Sequence, residues 1–235
     1  MRLLLLSNSK NPGQGYLQHA ETMIREFFAA SVRTALFVPY AAVRVSYDEF
    51  TATAGRRFDD FGCRLVPVHT HRDPAAAVAS AEAVVVGGGN TWHLLQALHQ
   101  TGLLEAIRGR AEQGMPYLGW SAGANVAGPT IRTTNDMPIV EPPTFAALGL
   151  VPFQLNPHYT EERIPNHGGE TRVERLLEFV AANPSIPVVG LREGSALRVE
   201  GSSLTLLGPH PAKVYVGGRE PTEYPPGPSL QFLMP

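Results

Sequence analysis

Short apolar runs alternate along the chain with stretches in which apolar residues recur at helical spacing. The apolar runs are mostly four to six residues long and end at turn residues. Such runs are typical of strands in a parallel sheet that is covered on both faces. We therefore predict strands at Arg2–Ser7, Thr34–Pro39, Cys63–Val68, Ala83–Val86, Tyr117–Trp120 and Ile186–Leu191.

The stretches between these runs have helical patterns. Their apolar positions predict helices at Leu17–Ala29, Thr91–His99, Leu103–Gln113 and Val173–Ala182. Thr171 and Glu174 have the spacing of a capping box ahead of the last helix. Because strands and helices alternate, we expect a single α/β domain over residues 1–235, with a doubly wound, mostly parallel sheet flanked by helices. In such sheets, ligands bind at the carboxyl ends of the strands.

The pattern changes after Gly201. Short strands are expected to form a β-hairpin region at Ser203–Leu207, Ala212–Val216 and Arg219–Glu223. The Pro-rich tail, Tyr224–Pro235, is expected to lie extended against the body of the protein or to fray.

The composition excludes several classes of protein. The 23 glycines and 21 prolines lie between apolar runs, which indicates tight turns and close backbone approaches rather than disorder. A formal net charge of −2 argues against a broad basic surface, so no nucleic-acid partner is expected. The apolar run Leu3–Leu6 is too short for a secretory or membrane-spanning segment, so we expect a cytoplasmic protein without a membrane partner. The single cysteine, Cys63, excludes an internal disulfide and a cysteine-based zinc site, and is expected to be a small core residue.

The strongest chemical signal is the pentapeptide Gly119-Trp120-Ser121-Ala122-Gly123, which fits the G-x-S-x-G pattern of a nucleophile elbow. In such an elbow, a strand turns abruptly into a helix and exposes the serine hydroxyl, and small neighbouring residues permit the turn. The dipole and the free N–H groups of the helix start favour an oxyanion. Ser121 is therefore a candidate nucleophile. The alternative is a turn of small residues that only packs closely.

Three consecutive glycines, Gly87–Gly89, follow the predicted strand that ends at Val86. Because glycine has no Cβ atom, the N–H groups of this turn can approach a ligand, either as an oxyanion donor or as a phosphate cradle. The turn fits neither the dinucleotide-binding fingerprint nor a Walker A loop. A purely structural turn, with Asn90 or Thr91 capping the next helix, is the alternative.

A serine nucleophile needs a base. His158 is the best placed of the eight histidines, because it follows an apolar stretch at an expected strand end. A carboxylate should orient its imidazole. Asp136 and Glu193 both lie in expected loops, and Glu193 follows the strand that ends at Leu191. The alternatives are a structural hydrogen-bonding role for the histidine and a cap or surface position for each acid.

Arg172 lies at the start of the last predicted helix, after Gly168 and Gly169. A cation is unfavourable beside the positive end of a helix dipole, so an arginine at this position suggests a functional role. A guanidinium can hold an anionic group of a substrate in a bidentate pair. The alternative is a solvated surface arginine.

Taken together, these motifs resemble the peptidase E family, the aspartyl dipeptidases among the serine peptidases related to cyanophycinase. The resemblance covers about residues 1–200 and is carried by Leu4–Ser9, Val86–Thr91, Gly119–Asn125, Pro129–Val140, Asn156–His158, Gly169–Arg172, Gly190–Leu191 and Glu193–Gly194. It implies a fold similar to that of class I glutamine amidotransferases, with serine in place of their cysteine. The implied activity is the hydrolysis of dipeptides with an N-terminal aspartate, without a metal or an organic cofactor.

The resemblance also implies a catalytic triad. Ser121 matches the nucleophile of the family and His158 matches its base. Both Asp136 and Glu193 fall in family motifs, and each has a claim to the third place. We favour Glu193, because a strand-end carboxylate beside a strand-end histidine suits the expected sheet. Asp136 is then expected to shape the substrate pocket.

Contacts with the substrate follow from the same resemblance. The implied oxyanion donors are the N–H groups of Ala122 and of Gly89 or its neighbour Gly88. The residues expected to bind the substrate are Arg172, Asn90 and Glu170. Arg172 matches the position that binds the aspartyl carboxylate, and Glu170 or Asp136 is expected to accept the substrate amine.

Three other functions are considered. An α/β-hydrolase esterase is disfavoured, because His158 follows Ser121 too closely in the chain for that fold. A cyanophycinase-type enzyme that cleaves β-linked Asp-Arg peptides shares the catalytic residues. A non-enzymatic, flavodoxin-like module that binds nucleotide or phosphate through Gly87–Asn90 would leave Ser121, His158 and Glu193 unexplained. The expected partner is a small peptide substrate, and a homodimer is compatible with the sequence, which has no direct signal of oligomeric state.

Overall fold

The computed structural model describes residues 1–29, 31–163, 165–166 and 168–234, whose strands form two sheets. In chain order, the strands are β1 (Arg2–Leu6), β2 (Thr34–Val38), β3 (Arg64–Pro67), β4 (Val84–Val86), β5 (Tyr117–Trp120), β6 (Gln154–Tyr159), β7 (Val188–Arg192), β8 (Ala196–Glu200), β9 (Ser203–Leu207), β10 (Ala212–Tyr215) and β11 (Thr222–Tyr224). The helices are α1 (Glu21–Phe28), α2 (Tyr47–Asp60), α3 (Pro74–Ala79), α4 (Thr91–Gln100), α5 (Leu103–Glu112), α6 (Ala122–Asn125) and α7 (Arg172–Ala182).

The larger sheet has seven strands in the order β3-β2-β4-β5-β1-β8-β9. The strands from β3 to β1 are parallel, and β8 and β9 are antiparallel additions at one edge. Side chains alternate between the two faces, as the strand period requires. Leu3 and Leu5 pack with residues of α3, α4 and α5, whereas Leu4 and Leu6 pack with residues of α1 and α2. Both faces are thus covered, which confirms the predicted α/β fold with a mostly parallel sheet flanked by helices.

The smaller sheet has four strands in the order β11-β10-β7-β6. The predicted strand Ile186–Leu191 was expected in the doubly wound sheet, and this placement is wrong. As β7, it instead pairs in parallel with β6 and in antiparallel with β10. Helix α7 covers this sheet, where Leu176 and Val180 pack with Tyr159 and Tyr215. The strand is apolar because it is covered here, not because it lies in the main sheet.

The described part of the tail after β11, residues 225–234, is neither extended nor frayed. Residues Pro228–Leu233 form a 3-10 helix in which Leu230 is fully buried. The Gln231 side chain accepts a hydrogen bond from the Leu204 N–H and donates one to the Ser202 carbonyl. These contacts attach the tail to the edge strand β9 through its own short helix.

The helices and the single cysteine can be compared with what the composition predicts. Within the described ranges, no helix is both long and apolar enough to cross a membrane. Cys63 is buried, and this burial raises the pKa of its thiol to about 11. The thiol is therefore protonated near neutral pH and behaves as a small core group.

Candidate active site

Ser121 lies at the sharp turn between β5 and α6, with a backbone φ of 54° and ψ of −113°. A positive φ is uncommon for a residue with a side chain and is tolerated only where the surrounding structure imposes it. The turn is tight enough to require glycine on both sides. A Cβ atom on Gly119 would lie 2.3 Å from the Gly123 carbonyl oxygen, and one on Gly123 would lie 2.2 Å from the Val86 carbonyl oxygen. The pentapeptide thus has the steric form of a nucleophile elbow.

The structure brings Ser121, His158 and Glu193 into one hydrogen-bonded chain. The His158 Nε2 atom lies 2.9 Å from the Ser121 Oγ atom, and its Nδ1 atom lies 2.6 Å from Glu193 Oε1. The three residues come from the carboxyl ends of β5, β6 and β7. Because β6 and β7 are parallel neighbours, the histidine near the end of one strand meets the carboxylate that follows the other.

A β-bulge aims the His158 side chain. The register of β6 and β7 changes between the pairs Asn156–Gly190 and Tyr159–Arg192, so β6 carries extra backbone at this point. His158 has a φ of 54° within this irregularity. Bulges re-aim side chains and are common beside active sites. Here the bulge turns the imidazole toward Ser121, which directly follows strand β5 of the larger sheet.

Asp136 is bound by the start of α4, and among the described residues its carboxylate has no hydrogen bond to the imidazole. Its Oδ2 atom accepts hydrogen bonds from the Thr91 N–H at 2.8 Å, the Thr91 hydroxyl at 2.6 Å and the Thr134 hydroxyl at 3.1 Å. A carboxylate at a helix N-terminus is stabilised by the helix dipole and the free N–H groups. Of the two candidate acids, Glu193 is therefore the one in contact with His158.

A cavity of about 270 Å³ opens beside Ser121. Its lining includes Ser121 and His158 together with two opposite charges, Asp136 and Arg172. A wider cavity of about 700 Å³ adjoins it and shares the lining residues Thr134, Asn135, Asp136 and Arg172. The smaller cavity thus places an anion and a cation next to the serine hydroxyl.

Arg172 is the first residue of α7, after the N-cap Thr171. The predicted capping box is present, because the Thr171 hydroxyl accepts from the Glu174 N–H and the Glu174 carboxylate accepts from the Thr171 N–H. The Arg172 guanidinium donates to the His158 carbonyl oxygen. Burial lowers the pKa of Arg172, and the nearby Arg175 lowers it further. A partly desolvated guanidinium that lines a cavity is a strong binding point for a carboxylate.

The glycine turn lies directly against Ser121. A Cβ atom on Gly88 would lie 2.9 Å from the Ser121 Cβ atom, whereas one on Gly89 would lie 2.2 Å from the Ala41 carbonyl oxygen. Within the described residues, neither the Gly88 N–H nor the Gly89 N–H donates a hydrogen bond. Ala122 is the first residue of α6, and the N–H groups at a helix start have no acceptor inside the helix. Of the two glycines, Gly88 is the one whose Cβ position faces the serine.

Two other residues expected to bind substrate have different surroundings. Asn90 is the N-cap of α4, where its Oδ1 atom accepts from the His93 N–H and its Nδ2 group donates to the Met137 carbonyl. Glu170 lines the wider cavity and lies 3.8 Å from Arg175 in an exposed ion pair. Neither residue lines the cavity beside Ser121.

Ser7 and Asn8 also belong to the site, although the sequence motifs give neither residue a role there. Both are buried polar residues directly after β1. The Ser7 hydroxyl accepts from the His158 N–H, and the Asn8 side chain accepts from the Gly194 N–H. The available signal was their position, because polar residues at the carboxyl end of an apolar central strand point to the ligand-binding edge of such a sheet.

The sequence model of peptidase family S51 matches residues 3–207. The chain belongs to peptidase family S51. The match covers both sheets up to β9, and it therefore includes Ser121, His158 and Glu193.

Two proteins named peptidase E are similar to the chain over nearly its whole length. A peptidase E from Nostoc sp. is 49% identical over 233 residues, covering 99% of this chain and 96% of its own. A peptidase E from Shewanella amazonensis is 46% identical over 234 residues, covering 100% of this chain and 99% of its own.

Solved structures share the fold at lower sequence identity. A protein from Listeria monocytogenes EGD-e has a TM-score of 0.67 and 21% identity, covering 88% of this chain and 98% of that chain. A peptidase from an acI-B1 Actinobacterium has a TM-score of 0.64 and 19% identity, covering 95% of this chain and 96% of that chain. The α/β architecture is therefore the one adopted by these proteins.

Proposed function

We propose that this S51 peptidase is a serine dipeptidase that cleaves dipeptides with an N-terminal aspartate. The observation that carries the proposal is the chain of hydrogen bonds from Ser121 through His158 to Glu193, beside a cavity that also holds Arg172 and Asp136. Acyl transfer to a serine requires a nucleophile that is hydrogen-bonded to a base, and a carboxylate that orients this base. The similarity to peptidase E relatives supports the same reaction class.

In the proposed reaction, the Ser121 hydroxyl attacks the scissile carbonyl while His158 Nε2 takes its proton. Glu193 accepts a hydrogen bond from Nδ1, which keeps the productive tautomer and stabilises the imidazolium that forms. The imidazolium then donates its proton to the leaving amine. Water, activated by the same imidazole, hydrolyses the aspartyl ester on Ser121 and restores the free enzyme.

The tetrahedral intermediate carries a negatively charged oxygen, which needs hydrogen-bond donors to stabilise it. We propose the N–H groups of Gly88 and Ala122, because Gly88 lies against Ser121 and Ala122 opens α6. Preorganised backbone donors of this kind are each worth about 10²–10³ in rate. Gly89 supports the turn, since its backbone packs against Ala41 at a φ of 143°.

Specificity for aspartate follows from the two charges in the smaller cavity. Arg172 would pair with the side-chain carboxylate of the substrate, and Asp136 would accept its α-ammonium group. Asp136 is preferred over Glu170 for this role, because only Asp136 lines the cavity beside Ser121. An N-terminal aspartate carries an ammonium group and a side-chain carboxylate. A site with one anion and one cation is complementary to these two charges.

The proposed specificity is tested with a panel of X-Leu dipeptides that vary the first residue, together with a β-linked Asp-Arg dipeptide. We expect the highest kcat/KM for Asp-Leu and little hydrolysis of Asn-Leu, its neutral analogue. Preferential cleavage of the β-linked peptide would favour the cyanophycinase-type alternative. Equal rates on all X-Leu peptides would contradict a specific role for the charged cavity.

The protein is proposed to act in the cytoplasm. The apolar run Leu3–Leu6 is the buried strand β1, bonded on both sides within the main sheet. Cys63 is a buried free thiol. Fractionation of the native host, followed by detection of the chain in the soluble cytoplasmic fraction, tests this location.

A further inference from the structure

The Ser7 hydroxyl bridges the two strands that present His158 and Glu193. Ser7 Oγ accepts a hydrogen bond from the His158 N–H at 2.9 Å and donates one to the Leu191 carbonyl oxygen at 2.8 Å. Ser7 is fully buried. A hydroxyl has one donor and can accept as well, so a single side chain serves both strands.

The bridge lies at the β-bulge in β6. On either side of the bulge, β6 and β7 pair at Asn156–Gly190 and at Tyr159–Arg192. At the bulge itself, the His158 N–H donates to the Ser7 hydroxyl instead of to a neighbouring strand. A buried N–H without an acceptor is costly, so the bulged conformation of His158 depends on an acceptor at this place.

Two further bonds from the same segment hold the turn that carries Glu193. The Ser7 N–H donates to the Ser195 carbonyl at 3.0 Å, and the Asn8 side chain accepts from the Gly194 N–H at 2.8 Å. Asn8 is itself fixed, because its Nδ2 group donates to Asn11 Oδ1 at 2.7 Å. The backbone is therefore restrained immediately after Glu193.

The segment also reaches the serine. The Ser121 N–H donates to the Leu6 carbonyl at 3.1 Å. Three consecutive residues, Leu6, Ser7 and Asn8, thus bond to the backbone at or beside each member of the Ser121, His158 and Glu193 chain. They lie at the end of β1, where the two sheets meet.

We infer that Ser7 is a positioning residue, whose hydroxyl sets the distance and angle of the His158–Glu193 pair relative to Ser121. Asn8 supports the same arrangement through the Glu193 turn. The catalytic meaning of this inference rests on the proposed function. Misplacement of a catalytic group by about 1 Å can cost about 10²-fold in rate, so a single hydroxyl at this junction has a large effect.

The test compares Ser7→Ala and Ser7→Cys with the wild-type enzyme. We expect kcat for Asp-Leu to fall about 10–100-fold in Ser7→Ala, with KM changed by no more than about threefold, because the loss is in alignment rather than in substrate binding. The Ser7→Cys thiol has a similar shape but is a weaker hydrogen-bond donor and acceptor, so we expect its kcat to lie between those of the wild type and Ser7→Ala. If Ser7→Ala does not fold, Ser7→Cys takes the test with the same readouts.

A spectroscopic readout separates positioning from general stability. The proton between His158 Nδ1 and Glu193 should give a low-field ¹H NMR signal, assigned by its loss in Glu193→Gln. We expect this signal to shift or broaden in both Ser7 variants. Tyr215→Phe is the matched control, because it removes a different buried hydroxyl, which lies in the smaller sheet and is bonded to Tyr159 at 2.6 Å. It should lower stability while leaving kcat and the signal unchanged.

Two results would overturn the inference. One is a folded Ser7 variant that keeps wild-type kcat and an unchanged low-field signal. The other is a fall in kcat that is no larger in the Ser7 variants than in Tyr215→Phe, when the variants compared have the same stability. Failure of the proposed function is distinguishable, because it would show as wild-type protein that does not cleave Asp-Leu, while the NMR signal still reports on the Ser7 contact.

Discussion

His158 and Glu193 face each other at the ends of neighbouring parallel strands, with 2.6 Å between Nδ1 and Oε1. The Asp136 carboxylate is held instead by Thr91 and Thr134. We therefore expect Glu193→Gln to lower kcat for Asp-Leu by about 10²–10⁴-fold, because the amide no longer fixes the tautomer or stabilises the imidazolium.

Asp136→Asn is the matched comparison for this prediction. It removes a charge next to the same cavity but leaves the His158–Glu193 pair in place. We expect it mainly to raise KM for Asp-Leu, through weaker binding of the substrate amine. Steady-state kinetics on both variants measure the contrast, and a larger loss of kcat in Asp136→Asn would overturn the assignment of Glu193.

Arg172 is expected to determine the preference for aspartate. In Arg172→Ala, kcat/KM for Asp-Leu should fall by at least about 10²-fold, because a desolvated charge pair is lost. The ratio of kcat/KM between Asp-Leu and Asn-Leu should collapse toward one. This ratio isolates carboxylate binding from the bond that Arg172 makes to the His158 carbonyl.

Arg175→Ala is the control for charge alone. Arg175 is the next arginine on α7, and its side chain is 69% exposed. It should retain the preference for Asp-Leu. An Arg172→Ala enzyme that loses activity equally on Asp-Leu and Asn-Leu would show that Arg172 supports the catalytic residues without selecting the substrate.

Gly88→Ala should damage catalysis while the fold persists. The added Cβ atom would lie 2.9 Å from both Ser121 Cβ and Trp120 Cδ1, so the turn must shift away from the serine. Loss of one oxyanion donor predicts a fall in kcat of about 10²–10³-fold. Circular dichroism and kinetics together test this, and unchanged kcat would exclude Gly88 as a donor.

Gly55→Ala provides the matched glycine control. Gly55 lies within α2, and a Cβ atom there would have no atom within 4 Å. The substitution should leave kcat unchanged and raise the free energy of unfolding by about 0.5–1 kcal/mol, because alanine loses less backbone entropy in a helix. Urea unfolding measures this gain.

His19 is expected to make stability depend on pH. Burial of its ring lowers the pKa of His19, and this effect outweighs the opposing effects of the Asn8 backbone and the Glu193 charge. Below the ordinary histidine pKa of about 6.5, the unfolded chain therefore binds more protons than the folded chain at this residue. Its contribution is fully present above that pH and is lost as the pH falls.

Urea unfolding at pH 7.5 and pH 5.5 tests this dependence. His19→Gln should lose less stability between the two values than the wild type does. His210→Gln replaces an exposed histidine and should keep the wild-type dependence. Equal losses in wild type and His19→Gln would contradict a role for His19.

The local parts of the site could be predicted from the sequence because their causes are local. The pentapeptide around Ser121 contains the two glycines that the elbow requires, and Thr171 with Glu174 contains the whole capping box of α7. The contact between His158 and Glu193 could be predicted because both residues are expected at the carboxyl ends of strands. It forms because β6 and β7 are neighbours, although in the smaller sheet rather than the main one.

Long-range pairing could not be predicted in the same way. The apolar strand β7 has the composition of a strand in the main sheet, and nothing within it specifies β6 and β10 as its partners. The role of Ser7 was missed for a similar reason. Its hydroxyl bonds to His158 and Leu191, both far along the chain.

Helix α2 was missed because its apolar stripe is weak. Only Ala54 and Phe58 are fully buried along Tyr47–Asp60, so the periodic signal is short. The signal that remained was the capping box of Ser46 and Glu49 ahead of the helix. Helix α3 had a comparable signal in the N-cap Asp73 followed by a proline at the first helical position.

The most direct test of the account is the hydrolysis of Asp-Leu by the wild type and by Ser121→Ala, with both proteins shown to be folded. We predict that the wild type cleaves Asp-Leu and that Ser121→Ala loses about 10³-fold or more in kcat, because the hydroxyl that forms the acyl-enzyme is absent. Retention of full activity by Ser121→Ala would contradict the account, as would a folded wild type that does not cleave Asp-Leu.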